Sequence, residues 1–167
     1  MYGTYTFEAN GLNFKAKIRH DDCMQEPWKE HDGHGIVSEW TTRDKRPGER
    51  VLASGSNNKR FYDFQETMRI ALRDGWSGEG NTKRQRAADA VERDYKHLAA
   101  WCNDEWHWVY VTVDLLSTDG SIVPGYHESL GGMESTDDDG IKEAAMELAE
   151  ELCARVVDAV VVEMAVR

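Results

Sequence analysis

His20 and Cys23 stand three residues apart, and so do His31 and His34, with Asp21, Asp22 and Asp32 among them. Two pairs of nitrogen or sulfur donors are what a tetrahedral zinc ion takes, and a hydrated divalent metal would take the aspartates instead. A metal held by His20, Asp22, Cys23, His31 and His34 would lower the pKa of bound water while a carboxylate took its proton, which is the chemistry of a hydrolase or nuclease. Against this, His31 and His34 stand closer than the usual zinc-binding pair, which has about three to five residues between its members. His20 and Cys23 also fall where a strand ends. The competing reading makes these histidines surface groups hydrogen-bonded to neighbouring acids, and no cofactor is then expected.

Nucleophiles give a weaker signal. Cys102 ends an amphipathic helix and Cys153 lies beside the buried stripe of another, so both read as small core hydrophobes. Ser129 near His127 lacks the spacing of a nucleophile elbow, and Gly131-Gly132 read as a bulge or turn. No catalytic residue is expected. Arg43 to Arg50, Lys59-Arg60 and Lys83-Arg84-Gln85-Arg86 could meet phosphate, although lysines and arginines on solvated loops are the commoner case.

The elements that must position these groups follow from periodicity. Tyr5, Phe7 and Ala9 alternate with polar residues, as do Leu12, Phe14, Ala16 and Ile18, and Asn10-Gly11 between them signals a hairpin. A long irregular loop over about 21–49 follows. Residues 50–54 and 59–62, divided by Gly55-Ser56-Asn57-Asn58, read as a second hairpin. Asp63 to Glu66 and Thr82 to Gln85 have capping-box spacing. The first helix carries Phe64, Met68, Ala71 and Leu72 inward and stops at Gly75. The second buries Ala87, Ala88, Val91, Tyr95, Leu98 and Cys102. From Trp106 to Leu116 the period falls to two, with Val109, Val111, Val113 and Leu115 on one face and Trp106, Trp108, Tyr110 and Thr112 on the other. Asp119-Gly120 turns the chain into a partner strand near 122–130, where Pro124 suggests a bulge or an edge. An acidic helix over about 139–163 closes the chain, with Ile141, Ala145, Leu148, Leu152, Val156 and Val160 as its buried stripe.

This order predicts one α+β domain over 1–167. An antiparallel sheet built from hairpins has about three helices packed on one face, and the long irregular loop covers the other. Trp28 and Trp40 anchor that loop over the aromatic strand face, with Gly33 and Gly35 allowing tight backbone between them.

The chain has 167 residues, three cysteines, six tryptophans and a net charge of −11. The odd, scattered cysteines suit a reducing cytoplasm. No apolar run spans a bilayer and the start carries no basic-then-apolar leader, so neither membrane nor export is expected. Residues 134–167 hold ten acids against three bases, and residues 43–96 hold nine acids against thirteen bases. An acidic body disfavours general nucleic-acid binding, which needs a cationic face, and suits contact with a basic protein.

The segments PWKEHDGHGIVSEW, KRPGERVL, RFYDF, ALRDGW, AADAVERDYKHLAAWCNDEWHW and ESLGGMES resemble a group of small proteins of unassigned function in tailed bacteriophages and prophages. The likeness runs over about 21–135. It implies expression in the cytoplasm of an infected bacterium, where small acidic phage proteins bind host machinery. The expectation is a non-enzymatic protein that inhibits a nucleic-acid-handling defence complex, of CRISPR-Cas or restriction type, by occupying its nucleic-acid-binding surface. Its contacts would be Asp137, Asp138, Asp139, Glu143, Glu147 and Glu150 on the last helix, with Trp28, His31, His34 and Trp40 in the loop. The alternatives are the metal-dependent hydrolase above and a nucleic-acid-binding accessory protein using the basic middle segment.

Overall fold

Asn10 and Gly11 take φ angles of 51° and 78°, the successive positive values that a tight hairpin turn needs. They join β1 (Gly3–Ala9) to β2 (Leu12–His20), paired in register from Gly3 with Ile18 to Ala9 with Leu12. The computed structural model describes residues 3–56 and 58–165, with no side chain beyond Asp158. Asn57 in the second expected turn therefore lies outside the described residues, and the side chain of Val160 in the last apolar stripe lies outside the described side chains.

The fold is α+β and antiparallel throughout, and its hairpins are shared between two sheets of order β1-β2-β6-β7 and β3-β5-β4. The chain groups into two compact units: residues up to Met24 together with those from His107 onward, and Gln25–Trp106. The second is inserted between β2 and β6.

In the first unit, β6 (Trp108–Leu116) pairs with β2 on one side and β7 (Ile122–Glu134) on the other. Val109, Val111, Val113 and Leu115 face α4 (Asp138–Ala165), whose Ile141, Ala145, Leu148 and Leu152 complete the core as the periodicity predicts. Cys153 is buried there and its thiol points to the Ala9 carbonyl. The register of β7 slips twice against β6. One slip holds Pro124 and Gly125, and the other holds Gly131 and Gly132. Asp21 fixes the second slip by accepting the Gly132 N–H at 3.1 Å, in a place where a Cβ on Gly131 would overlap the carboxylate.

The second unit begins with α1 (Pro27–Glu30), then β3 (Val37–Trp40), β4 (Glu49–Ser54) and β5 (Lys59–Asp63). The stretch read as one irregular loop thus contains a helical turn and an edge strand, β3, hydrogen-bonded to β5. A four-residue strand is too short for alternation to announce it. Next come α2 (Phe64–Asp74) and α3 (Lys83–Cys102), packed on each other and on β4. Their ends match the sequence signals. Asp63 accepts from the Glu66 amide, Gly75 closes α2 in the left-handed region, and Thr82 with Gln85 forms a complete capping box. Leu52, Tyr62, Ala71, Ala87, Val91 and Leu98 form this unit's core. On α2 only Thr67 and Ala71 are fully buried, and Phe64, Met68 and Leu72 stay half-buried. Among the described residues no helix is long and apolar enough to cross a membrane.

Candidate functional site

The loop after α1 folds back onto α3 through one carboxylate. Asp94, on α3, accepts from His34 Nδ1 at 2.6 Å, from the Gly35 amide at 2.8 Å and from the Tyr62 hydroxyl at 2.6 Å. The His34 and Asp94 side chains are 19% and 11% exposed. Burial and the adjacent carboxylate both raise the Tyr62 phenol far above its ordinary pKa, so it stays a protonated donor. His34 lies parallel to His97 at 6.0 Å, and His97 stacks in turn on Trp106 at 4.5 Å. An aspartate that orients an imidazole is half of a general-base device. Among the described residues no hydroxyl or thiol hydrogen-bonds to His34; the contacts of Asp94 tie the loop and β5 to α3.

His31 is the residue that ends α1 and is exposed. His20 and Cys23 belong to the first unit. His20 pairs with Asp22 at 2.8 Å and lies against His107 with ring centres 5.2 Å apart, and Cys23 is exposed. Among the described residues no three His, Cys, Asp or Glu side chains gather as metal ligands. His20 is thus engaged with Asp22 and His107, and His34 with Asp94 on α3.

Trp28 and Trp40 serve the second unit's own sheet. Trp28 meets Trp101 edge-on at 5.4 Å, and the Arg60 guanidinium lies 5.3 Å from the first ring and 5.4 Å from the second. Arg60 also donates to Glu26 and Glu39, each at 3.0 Å. Trp40 is 42% exposed with Arg43 over its ring at 4.5 Å, and Arg43 holds Glu49 through both terminal nitrogens at 2.8 and 2.9 Å. These stacked arginines are what spacing could not foresee, because each joins residues from separate elements of the unit.

Two of these carboxylates titrate low. The Arg43 hydrogen bond pulls Glu49 below its ordinary 4.5 against the opposing effect of burial. At Glu26 burial pushes upward, but the Lys29 hydrogen bond and the Lys29 and Arg60 charges together win. A depressed folded-state pKa means the unfolded chain binds more protons near that pH. Stability is therefore full above about pH 5 and declines as pH falls through and below 4.5. We expect the melting temperature to fall with acidification across this window, and Glu49→Gln to start lower and flatten the acid limb. Melts followed by circular dichroism from about pH 3 to 6 check this.

On α4, Asp137 accepts from the Gly140 amide at 3.0 Å and so caps the helix, Asp138 and Asp139 occupy its first turn, and Lys142 pairs with Asp139 at 3.4 Å. Glu143, Glu147 and Glu150 are exposed along one side. Among the described residues none of these three has a basic nitrogen within 4.0 Å. The helix thus buries its apolar stripe on the sheet and turns an uncompensated row of carboxylates outward.

Comparison with protein-family models, with curated proteins and with solved structures finds no match for this chain.

Proposed function

We propose that this is a non-enzymatic, phage-encoded protein acting in the cytoplasm of an infected bacterium. It binds a host protein and inhibits a nucleic-acid-handling defence complex by occupying a cationic, nucleic-acid-binding surface. The observation that carries the reading is the outward carboxylate row of α4, with Glu143, Glu147 and Glu150 exposed and, among the described residues, without a basic nitrogen within 4.0 Å. Spaced at i, i+4 and i+7, these charges follow one side of a rigid helix, as phosphates follow a strand. Preorganised charge of this kind steers encounter with a basic groove and opposes its nucleic-acid ligand. The phage setting is supported by the resemblance of the segments quoted above. Trp40, exposed under Arg43, supplies an aromatic anchor of the type favoured at interfaces.

The test compares the natural chain with Glu143→Lys/Glu147→Lys/Glu150→Lys as baits in lysate from an infected host. The natural chain is expected to recover a nuclease or Cas-type complex, which excess nucleic acid displaces. The triple variant is expected to recover at least about tenfold less. Equal recovery by both baits, or recovery insensitive to nucleic acid, overturns the reading.

A further inference from the structure

The half-buried stripe of α2 lines a groove that the proposed function leaves unused. Phe64, Met68 and Leu72 make its floor, Gly48 and Gln65 close one end, and Arg69 and Arg84 stand at its margin around a volume of about 480 Å³. The floor is apolar because α2 carries Phe64, Met68 and Leu72 at i, i+4 and i+8, while only Thr67 and Ala71 are fully covered. The rise from Phe64 to Leu72 makes a floor about 12 Å long, enough for two turns of a partner helix.

Its borders are cationic on an acidic protein. Residues 43–96 carry thirteen bases against nine acids, whereas the whole chain has a net charge of −11. Arg69 and Arg73 are neutralised by Glu66 and Asp74. Lys83 and Arg84 at the start of α3, and Lys45 on the loop leading to Gly48, are exposed, and among the described residues no carboxylate lies within 4.0 Å of them. Of the groove's own lining, Arg84 carries uncompensated positive charge, with Lys83 next to it in sequence and Lys45 three residues before Gly48.

We propose that this groove binds an acidic amphipathic helical segment of a partner protein. The partner's apolar residues at i, i+3/i+4 and i+7 seat on Phe64, Met68 and Leu72, and its flanking carboxylates meet Arg84, Lys83 and Lys45. A single-stranded nucleic acid fits less well. The floor's one aromatic ring, Phe64, already has the Arg50 guanidinium 3.7 Å from its centre, and Met68 and Leu72 offer no stacking plane.

The experiment uses the full chain and a fluorescein-labelled synthetic helix with leucine at i, i+3, i+4 and i+7 and glutamate at the remaining positions, read by anisotropy at low salt. Saturable binding is expected, with affinity falling about tenfold for Lys83→Glu/Arg84→Glu and more for Met68→Lys. Both variants should keep the natural circular dichroism spectrum, since Lys83 and Arg84 are exposed and Met68 is only half-buried. No saturable binding overturns the proposal. Equal binding of a scrambled peptide or of one with lysine for glutamate also does so, as does tighter binding of an oligothymidylate or unchanged affinity in the Lys83→Glu/Arg84→Glu variant.

Discussion

Asp94→Ala is expected to destabilise the Gln25–Trp106 unit by about 3–5 kcal/mol. The carboxylate holds three donors at once, His34 Nδ1, the Gly35 amide and the Tyr62 hydroxyl. Tyr62 is fully buried, so removing Asp94 takes away the acceptor that its hydroxyl uses. An orphaned buried donor loses its hydrogen bond and keeps its desolvation penalty, about 1–3 kcal/mol for each such group. Asp94→Asn keeps one carbonyl oxygen for Tyr62 and Gly35 but turns an amide towards His34, so about half the loss is expected. Urea unfolding followed by tryptophan fluorescence measures both variants. An unfolding free energy for Asp94→Ala within about 1 kcal/mol of the natural chain would mean that the loop is held by something else.

Gly35→Ala is expected to cost about 3 kcal/mol, at the upper end of the range for overpacking. A Cβ at this position would overlap the Oη, Cζ and Cε2 atoms of Tyr62. That ring has little freedom to retreat, because its hydroxyl is tied to Asp94 and its side lies edge-on to Tyr95 at 5.6 Å. Gly33, two residues earlier, makes the control. Its φ is 104° with nothing within 4 Å of an added Cβ, so Gly33→Ala meets backbone strain alone and should cost about 1 kcal/mol. The two substitutions share a loop and a chemistry, but Gly33 tests the positive φ alone and Gly35 the steric overlap alone. Thermal melts showing equal losses would contradict the steric argument.

Local signals in the sequence located the first hairpin, the ends of α2 and α3 and the irregularities of β7, but not α1 or β3. Asn10-Gly11 marks the first hairpin, Asp63, Gly75 and Thr82 mark helix ends, and Pro124 and Gly131-Gly132 mark the irregularities of β7. Each depends on interactions within a few residues, which is the range over which spacing speaks. The carboxylate row of α4 was legible for the same reason, since helical period alone assigns Glu143, Glu147 and Glu150 to one side. The histidine-rich stretch was not. The partner of His34 is 60 residues away on α3, and no periodicity connects a loop imidazole to a helix it meets only after folding. Phe64, Met68 and Leu72 show the converse. Their spacing declares an apolar stripe, but whether a neighbour fully covers that stripe depends on packing that spacing does not encode.

The insertion of Gln25–Trp106 between β2 and β6 has a consequence for synthesis. His20 pairs with Val109 and Asn13 with Leu116, so the inner edge of the first hairpin has no neighbour until about a hundred further residues leave the ribosome. At about 5–20 residues per second this is a wait of about 5–20 seconds with open amides and carbonyls along one strand. During it an unfinished sheet edge can recruit a strand from another nascent chain. The alternating lysines and arginine of β2, Lys15, Lys17 and Arg19, put repelling charge on that edge while it waits.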